Sequence, residues 1–192
     1  MTGIPTMRSM VLEFTDDMNC SYLDKQYMLG DSILVAPIFN DRSEAKYYLP
    51  KGTWTSFLTG EVYEGERWIQ ENHGYLSIPM LVRENTIVAV GARDDIADYD
   101  YAKDVVLRIY ALADGKEAST VVYGVENEIE VKARAIRNGN EIMVTVDSSK
   151  PYKVLLVNTT VEEVKDALTE EVGRDTCITP NDGIKTLVCT IK

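Results

Sequence analysis

The chain has 192 residues, 45% of them apolar and 27% charged, with 12 Gly and 6 Pro. That is an ordinary globular composition, long enough for two small domains to bury real cores without disulfides or metal, and disorder is not expected. The 31 acidic and 20 basic side chains leave a formal charge of -11. Such a charge repels phosphate backbones and anionic lipid surfaces, so neither nucleic acid nor a membrane is an expected partner.

The first ten residues, MTGIPTMRSM, lack the basic stretch and apolar run of a secretory signal, and no apolar run approaches the ~20 residues of a membrane span. A cytoplasmic location is the expectation. Cys20, Cys177 and Cys189 are odd in number and form no CxxC pair. They point to buried or idle thiols rather than a disulfide framework or a zinc site.

Along the chain, short apolar runs alternate with turn residues. SILVAPIF, from Ser32, is continuous and apolar like a strand covered on both faces, with Pro37 near an edge or bulge. AKYYLP, TWTSFL, RWIQ and YLSIPMLV follow at the spacing of an antiparallel sandwich, and TIVAVG at 86–91 closes the series. ARDDIADYDYAKD, polar and acidic, reads as the boundary between two domains. In the second half Asn138-Gly139 lies between two alternating runs and predicts a two-residue type I′ hairpin. In that register Ala135 faces Ile142, Ala133 faces Val144 and Val131 faces Val146, with Glu128, Glu130, Lys132 and Arg134 on the opposite face. Asp114-Gly115 predicts a similar hairpin between DVVLRIYAL and EASTVVY, and YKVLLVN and IKTLVCTIK supply two more strands. VEEVKDALTE, at 161–170, reads as a short helix or as a strand and loop. No internal repeat is evident. The pattern predicts an all-β chain of two consecutive antiparallel β-sandwiches, residues 25–92 and 93–192.

Chemistry-bearing groups are sparse. Asp16 and Asp17 are neighbours, which extended chain points to opposite faces, so they read as a solvated turn rather than an acid/base pair. Asp94, Asp95, Asp98, Asp100 and Asp104 lack the ligand order and Gly of an EF-hand loop. His73 is the single histidine, set in loop-like sequence with no nucleophile motif pointing to it. Trp54, Trp68, Tyr47, Tyr48, Tyr63 and Tyr75 could stack on a sugar, although aromatics of a small sandwich more often pack its core. There is no GxGxxG, Walker or HExxH motif.

The order of segments resembles one family. Gly3-Ile4-Pro5-Thr6-Met7-Arg8 and Glu13-Phe14-Thr15-Asp16-Asp17 resemble the last barrel strand of glycoside hydrolase family 31, with Thr15 where the family usually has Pro. Gln26-Tyr27-Met28-Leu29-Gly30-Asp31, Leu34-Val35-Ala36-Pro37, Tyr48-Leu49-Pro50-x-Gly52-x-Trp54, Thr59-Gly60-Glu61 and Ile78-Pro79-x-x-Val82-Arg83 continue in family order. The Tyr27–Asp31 wording and His73-Gly74-Tyr75-Leu76-Ser77 are similar to the bacterial α-xylosidase branch. Asp17-Met18-Asn19 overlaps the family's nucleophile motif, Trp-x-Asp-Met-Asn-Glu, but the Trp is absent, Cys20 replaces the Glu, and the stretch aligns to the turn after the last strand.

The resemblance therefore implies the C-terminal part of a retaining α-xylosidase or α-glucosidase. Residues 1–24 would end a (β/α)8 barrel whose remainder is the main partner, and the two sandwiches would brace its wall and take part in oligomer contacts. It assigns no catalytic residue, cofactor or metal to this chain, which would be inactive alone. Residues 1–14 would be the least integrated part, with Met7, Met10, Val11, Leu12 and Phe14 lacking cover. The alternative is a free-standing carbohydrate-binding or protein-interaction sandwich.

Overall fold

The computed structural model describes residues 3–192, nearly all of them in strands and turns. The chain forms two compact units, one ending at Glu84 and one running Asn85–Lys192.

The first unit opens with β1 (Met7–Ser9), one helical turn α1 (Met10–Glu13) and a 3₁₀ turn (Met18–Tyr22). β2 (Tyr27–Leu29), β3 (Ile33–Val35), β4 (Glu44–Leu49), β5 (Thr53–Ser56), β6 (Val62–Glu64), β7 (Arg67–Asn72) and β8 (Met80–Arg83) follow. Six of these make an antiparallel sheet in the order β1-β2-β3-β8-β5-β6, and β4 and β7 pair as a separate ladder. One core forms from Met10, Met28, Leu34, Tyr47, Leu49, Trp54 and Leu81. The segment expected to end a barrel is here an edge strand of this sheet, with Met7 opposite Leu29 and Ser9 opposite Tyr27. Of the five side chains expected to lack cover, Met10 is fully buried and Phe14 packs on the same core, whereas Met7, Val11 and Leu12 are exposed. The apolar runs give shorter strands than their length suggests. SILVAPIF is a strand only over Ile33–Val35, and YLSIPMLV only from Met80, after Pro79. Proline cannot donate to a ladder, so Pro37 and Pro79 mark where pairing stops.

The second unit is a sandwich of two five-stranded sheets. Its strands are β9 (Thr86–Val90), β10 (Val105–Tyr110), β11 (Glu117–Tyr123), β12 (Ile129–Asn138), β13 (Glu141–Ser148), β14 (Tyr152–Leu156), β15 (Val161–Val164), β16 (Ala167–Val172), β17 (Asp175–Pro180) and β18 (Thr186–Ile191). One sheet runs β16-β17-β14-β10-β9 and the other β11-β12-β13-β18-β15. Alternate residues Val131, Ala133, Ala135, Val144 and Val146 point into the core with Leu107, Val154, Ile178 and Leu187.

Four local expectations change. TIVAVG does not close the first sandwich, because β9 pairs with β10, Val90 opposite Val106 and Thr86 opposite Tyr110. The polar 92–104 stretch is consequently a loop within the second unit, with Ala102 in its core. The 138–139 hairpin forms one step along: Asn138 pairs with Glu141, the turn residues are Gly139 and Asn140, and only Gly139 has positive φ, at 59°. Ala133 therefore faces Val146 rather than Val144, and Ala135 faces Val144, all still buried. At Asp114-Gly115 no hairpin forms; β10 joins β9 and, in parallel, β14, while β11 pairs with β12 in the other sheet. Of the two readings open for VEEVKDALTE the strand one holds: it forms β15 and β16, broken at Asp166, whose φ of 58° no helix can continue through.

Candidate functional site

In the first unit Glu13 ties three elements together. Its Oε2 accepts from Arg8 Nη1 at 3.0 Å and its Oε1 from Arg83 Nη1 at 2.9 Å, in a partly buried setting. Arg83 Nη1 also donates to the Asp31 carbonyl at 2.9 Å, and its guanidinium lies 5.1 Å from the centre of the Phe14 ring. Charge-assisted bonds of this kind are stronger than neutral ones. They hold α1 and β1 against β8, while Ile4, Met7, Val11 and Leu12 face outward.

Beside this clamp lies a cavity of about 490 Å³ whose walls include Glu13, Asp16, Asp17, Tyr48, Lys51 and Glu66. Asp17 Oδ1 accepts from the Asn19 backbone N–H at 3.0 Å and from Asn19 Nδ2 at 3.1 Å, capping the 3₁₀ turn. Burial and then the Asp17 carboxylate push the Tyr48 hydroxyl up. Asp16 is exposed. The Asp16-Asp17 pair thus acts as turn chemistry, as its spacing suggests.

His73 anchors a second cavity, of about 600 Å³. Its Nε2 lies 2.9 Å from Glu71 Oε1 and its Nδ1 3.0 Å from Ser77 Oγ, while Tyr47 Oη donates to the same Glu71 oxygen at 2.9 Å. Burial, followed by Glu71, pushes the Tyr47 hydroxyl well above its ordinary range. At the rim, Tyr75 and Leu76 are fully solvated, at 108% and 100% exposure. Sequence reading picked out His73 and Tyr75 separately and missed the partners Glu71, near the end of β7, and Ser77, which the 74–77 turn folds back beside the ring.

The six aromatic candidates separate sharply. Trp54, Tyr47 and Tyr48 are buried, with Trp54 Nε1 donating to the Pro50 carbonyl at 2.8 Å. Trp68 is half exposed, tilted against Tyr48 and overlain by Lys46 Nζ at 5.7 Å. Tyr63 donates to Glu61 and is faced by Arg67. Only Tyr75 of the six is bare.

In the second unit the acidic loop is tied to the sandwich by the ion pair Lys150–Asp100 and by a backbone hydrogen bond. Lys150 Nζ bridges Asp100 at 2.8 Å and Glu130 at 2.6 Å, Arg93 pairs with Asp95, and the Asp104 N–H donates to the Pro151 carbonyl. Among the described residues no group of three or more His, Cys, Asp or Glu side chains could hold a metal ion. No helix among them is long and apolar enough to cross a membrane. Burial pushes the thiol of Cys20 up to about 11 and that of Cys189 up to about 12, with Asp17 adding to the Cys20 shift.

Residues 3–88 match the glycosyl hydrolase family 31 C-terminal domain, and residues 100–191 match the C-terminal domain of the α-xylosidase YicI. The chain belongs to glycoside hydrolase family 31. It comprises the family's C-terminal domains, with relatives among the α-xylosidases. It is 44% identical over 149 residues to the α-xylosidase XylQ of Lactiplantibacillus pentosus, an alignment covering 75% of this chain and 19% of that protein. An α-xylosidase of Emericella nidulans is 29% identical over 76% of this chain and 20% of its own length. The fold matches the family 31 dextranase of Flavobacterium johnsoniae with a TM-score of 0.84 at 21% identity, over 100% of this chain and 29% of the dextranase. The chain thus spans about a fifth of the length of these curated relatives, and the family's catalytic barrel lies outside the matched residues.

The family 31 blocks read from the sequence interlock in the first unit. Arg8, Glu13 and Arg83 form the clamp, and the Gln26 amide exchanges two hydrogen bonds with the Tyr48 backbone, at 2.8 and 2.7 Å. Pro50 receives the Trp54 indole. These blocks are dispersed along the chain and meet in one core.

Proposed function

We propose that this chain supplies the accessory domains of a retaining α-glycosidase, an α-xylosidase or α-glucosidase, and has no glycosidase turnover of its own. Retaining hydrolysis needs two carboxyl groups about 5 Å apart across the scissile bond. Here Glu13 is committed to two arginines and Asp17 to a turn cap. The observation that carries the reading is the outward row Ile4, Met7, Val11 and Leu12, on and just before the β1–α1 segment that the Glu13 clamp ties down, at the point where the family resemblance implies a barrel. Such a row suits the barrel wall as its cover. A cytoplasmic location accords with three unpaired thiols.

The test is an assay of the purified chain with p-nitrophenyl α-xyloside and α-glucoside, expected to show no turnover above buffer. Turnover abolished by Asp17→Asn would overturn the reading.

A further inference from the structure

We propose that the cavity beside the Glu71–His73–Ser77 network is a saccharide-binding site, with Tyr75 as its stacking platform. The cavity, of about 600 Å³, is lined by the apolar Ile38, Tyr75 and Leu76 together with the polar Asp41, His73 and Ser77. A pyranose offers partners for both kinds of group, an apolar C–H face and a rim of hydroxyls. The network fixes the polar groups. Glu71 Oε1, as a carboxylate oxygen, only accepts, and it faces both Tyr47 Oη and His73 Nε2. His73 Nε2 is thus the donor to Glu71, and its Nδ1 lies within hydrogen-bond distance of the Ser77 hydroxyl. Ser77 Oγ keeps a lone pair for a ligand hydroxyl. Among the described residues the Asp41 carboxylate has no hydrogen bond or ion pair, so it is free to accept from two neighbouring hydroxyls.

The backbone that carries the platform is tied. The Ser77 N–H donates to the Gly74 carbonyl at 3.1 Å, closing a turn whose tip is Tyr75-Leu76, and the His73 N–H donates to the Ser43 carbonyl at 2.9 Å, securing its base. The ring itself is bare and has only two side-chain torsions to order on binding.

The cavity chemistry argues for a saccharide by itself; the choice of α-linked probes rests on the family reading above. The experiment is a ¹⁵N NMR titration of the full chain with xylose, maltose and isomaltose, and with β-linked cellobiose beside them. Saturable shifts confined to residues 38–43 and 73–78 are expected, with affinity falling about tenfold in Tyr75→Ala, retained in Tyr75→Phe and weakened in Asp41→Asn. Circular dichroism of each variant checks folding. Binding of cellobiose alone would support the site while counting against the family-based choice of ligand. Absence of saturable shifts with every sugar, or binding indifferent to Tyr75→Ala, would overturn the proposal. So would a Tyr75→Ala variant that changes only sedimentation, which would show the tip to be covered by a second copy.

Discussion

A carboxylate shared between two guanidinium groups leaves both uncompensated when it is removed, and Glu13 is in that position. Glu13→Ala is expected to lower the stability of the first unit by about 1–3 kcal/mol in urea unfolding, towards the low end because Arg83 stays partly solvated, with Glu13→Gln losing less. Titration behaves differently at Cys189. Its folded thiol, raised by burial to about 12 from 9.0, keeps its proton while the unfolded chain gives it up. The associated stability is fully present below pH 9 and is lost as pH rises through about 12. Cys189→Val should therefore flatten the fall in stability of the second unit across that window, although the buried Tyr110 and Tyr152 hydroxyls, also raised, keep a residual slope of the same sign. Below pH 9, thiol reagents are expected to reach Cys177 before Cys20 or Cys189, since only Cys177 is partly exposed. What residue types could not reveal was which aromatics are bare. Trp54 and Tyr75 are alike in sequence terms, yet one donates to Pro50 in the core and the other stands in solvent. Exposure depends on partners brought from elsewhere in the chain.

Between strands, the turns carry the specificity. A Cβ on Gly65, in the β6–β7 turn, would lie 1.9 Å from the Pro50 carbonyl oxygen that receives the Trp54 indole. Backbone cannot step aside cheaply there, so Gly65→Ala should cost the first unit about 1–3 kcal/mol and disturb Trp54 fluorescence. At Gly139 the situation is milder, because a Cβ meets nothing within 4 Å and only the φ of 59° is demanding. Gly139→Ala is expected to cost about 1 kcal/mol and Gly139→Asn less, measured by urea unfolding of the second unit. The same turn shows why the strands were legible but their pairing was not. Sliding the hairpin by one residue on the turn moved each facing pair by two, and the side-chain period of two left every apolar residue on the buried face. Asp114-Gly115 offered an equally good turn and proved to be a passage between sheets, where Asp114 Oδ1 accepts from the Gly139 N–H at 2.6 Å. Turn chemistry reports a change of direction and not which strand comes next.

For the molecule as a whole, the division at Glu84 was hidden because β9 is apolar like the strands before it, and the acidic loop after it resembled a linker. The outward row on the first unit has its own consequence. Each apolar side chain returned to cover is worth about 1.5–3 kcal/mol, enough for copies to meet when no other cover is present. Met7→Ser with Leu12→Ser, at 63% and 64% exposure, should reduce self-association in sedimentation velocity without lowering the thermal midpoint. Deleting residues 1–14 should lower it, because Met10 leaves the core.

The parallel neighbour of β10 bears on how the second unit comes to exist at all. β14 follows β10 only after residues 111–151 have built three strands of the opposite sheet, and β18, which pairs with β13 and β15, arrives later still. Closing loops of that length before any pairing rewards them slows the search, whereas β11, β12 and β13 can zip as neighbours. The β11–β13 meander is thus the natural nucleus, and β10 spends the early part of folding as an apolar strand, VVLRIY, without its partner on one side. Misfolding of this chain should begin at β10.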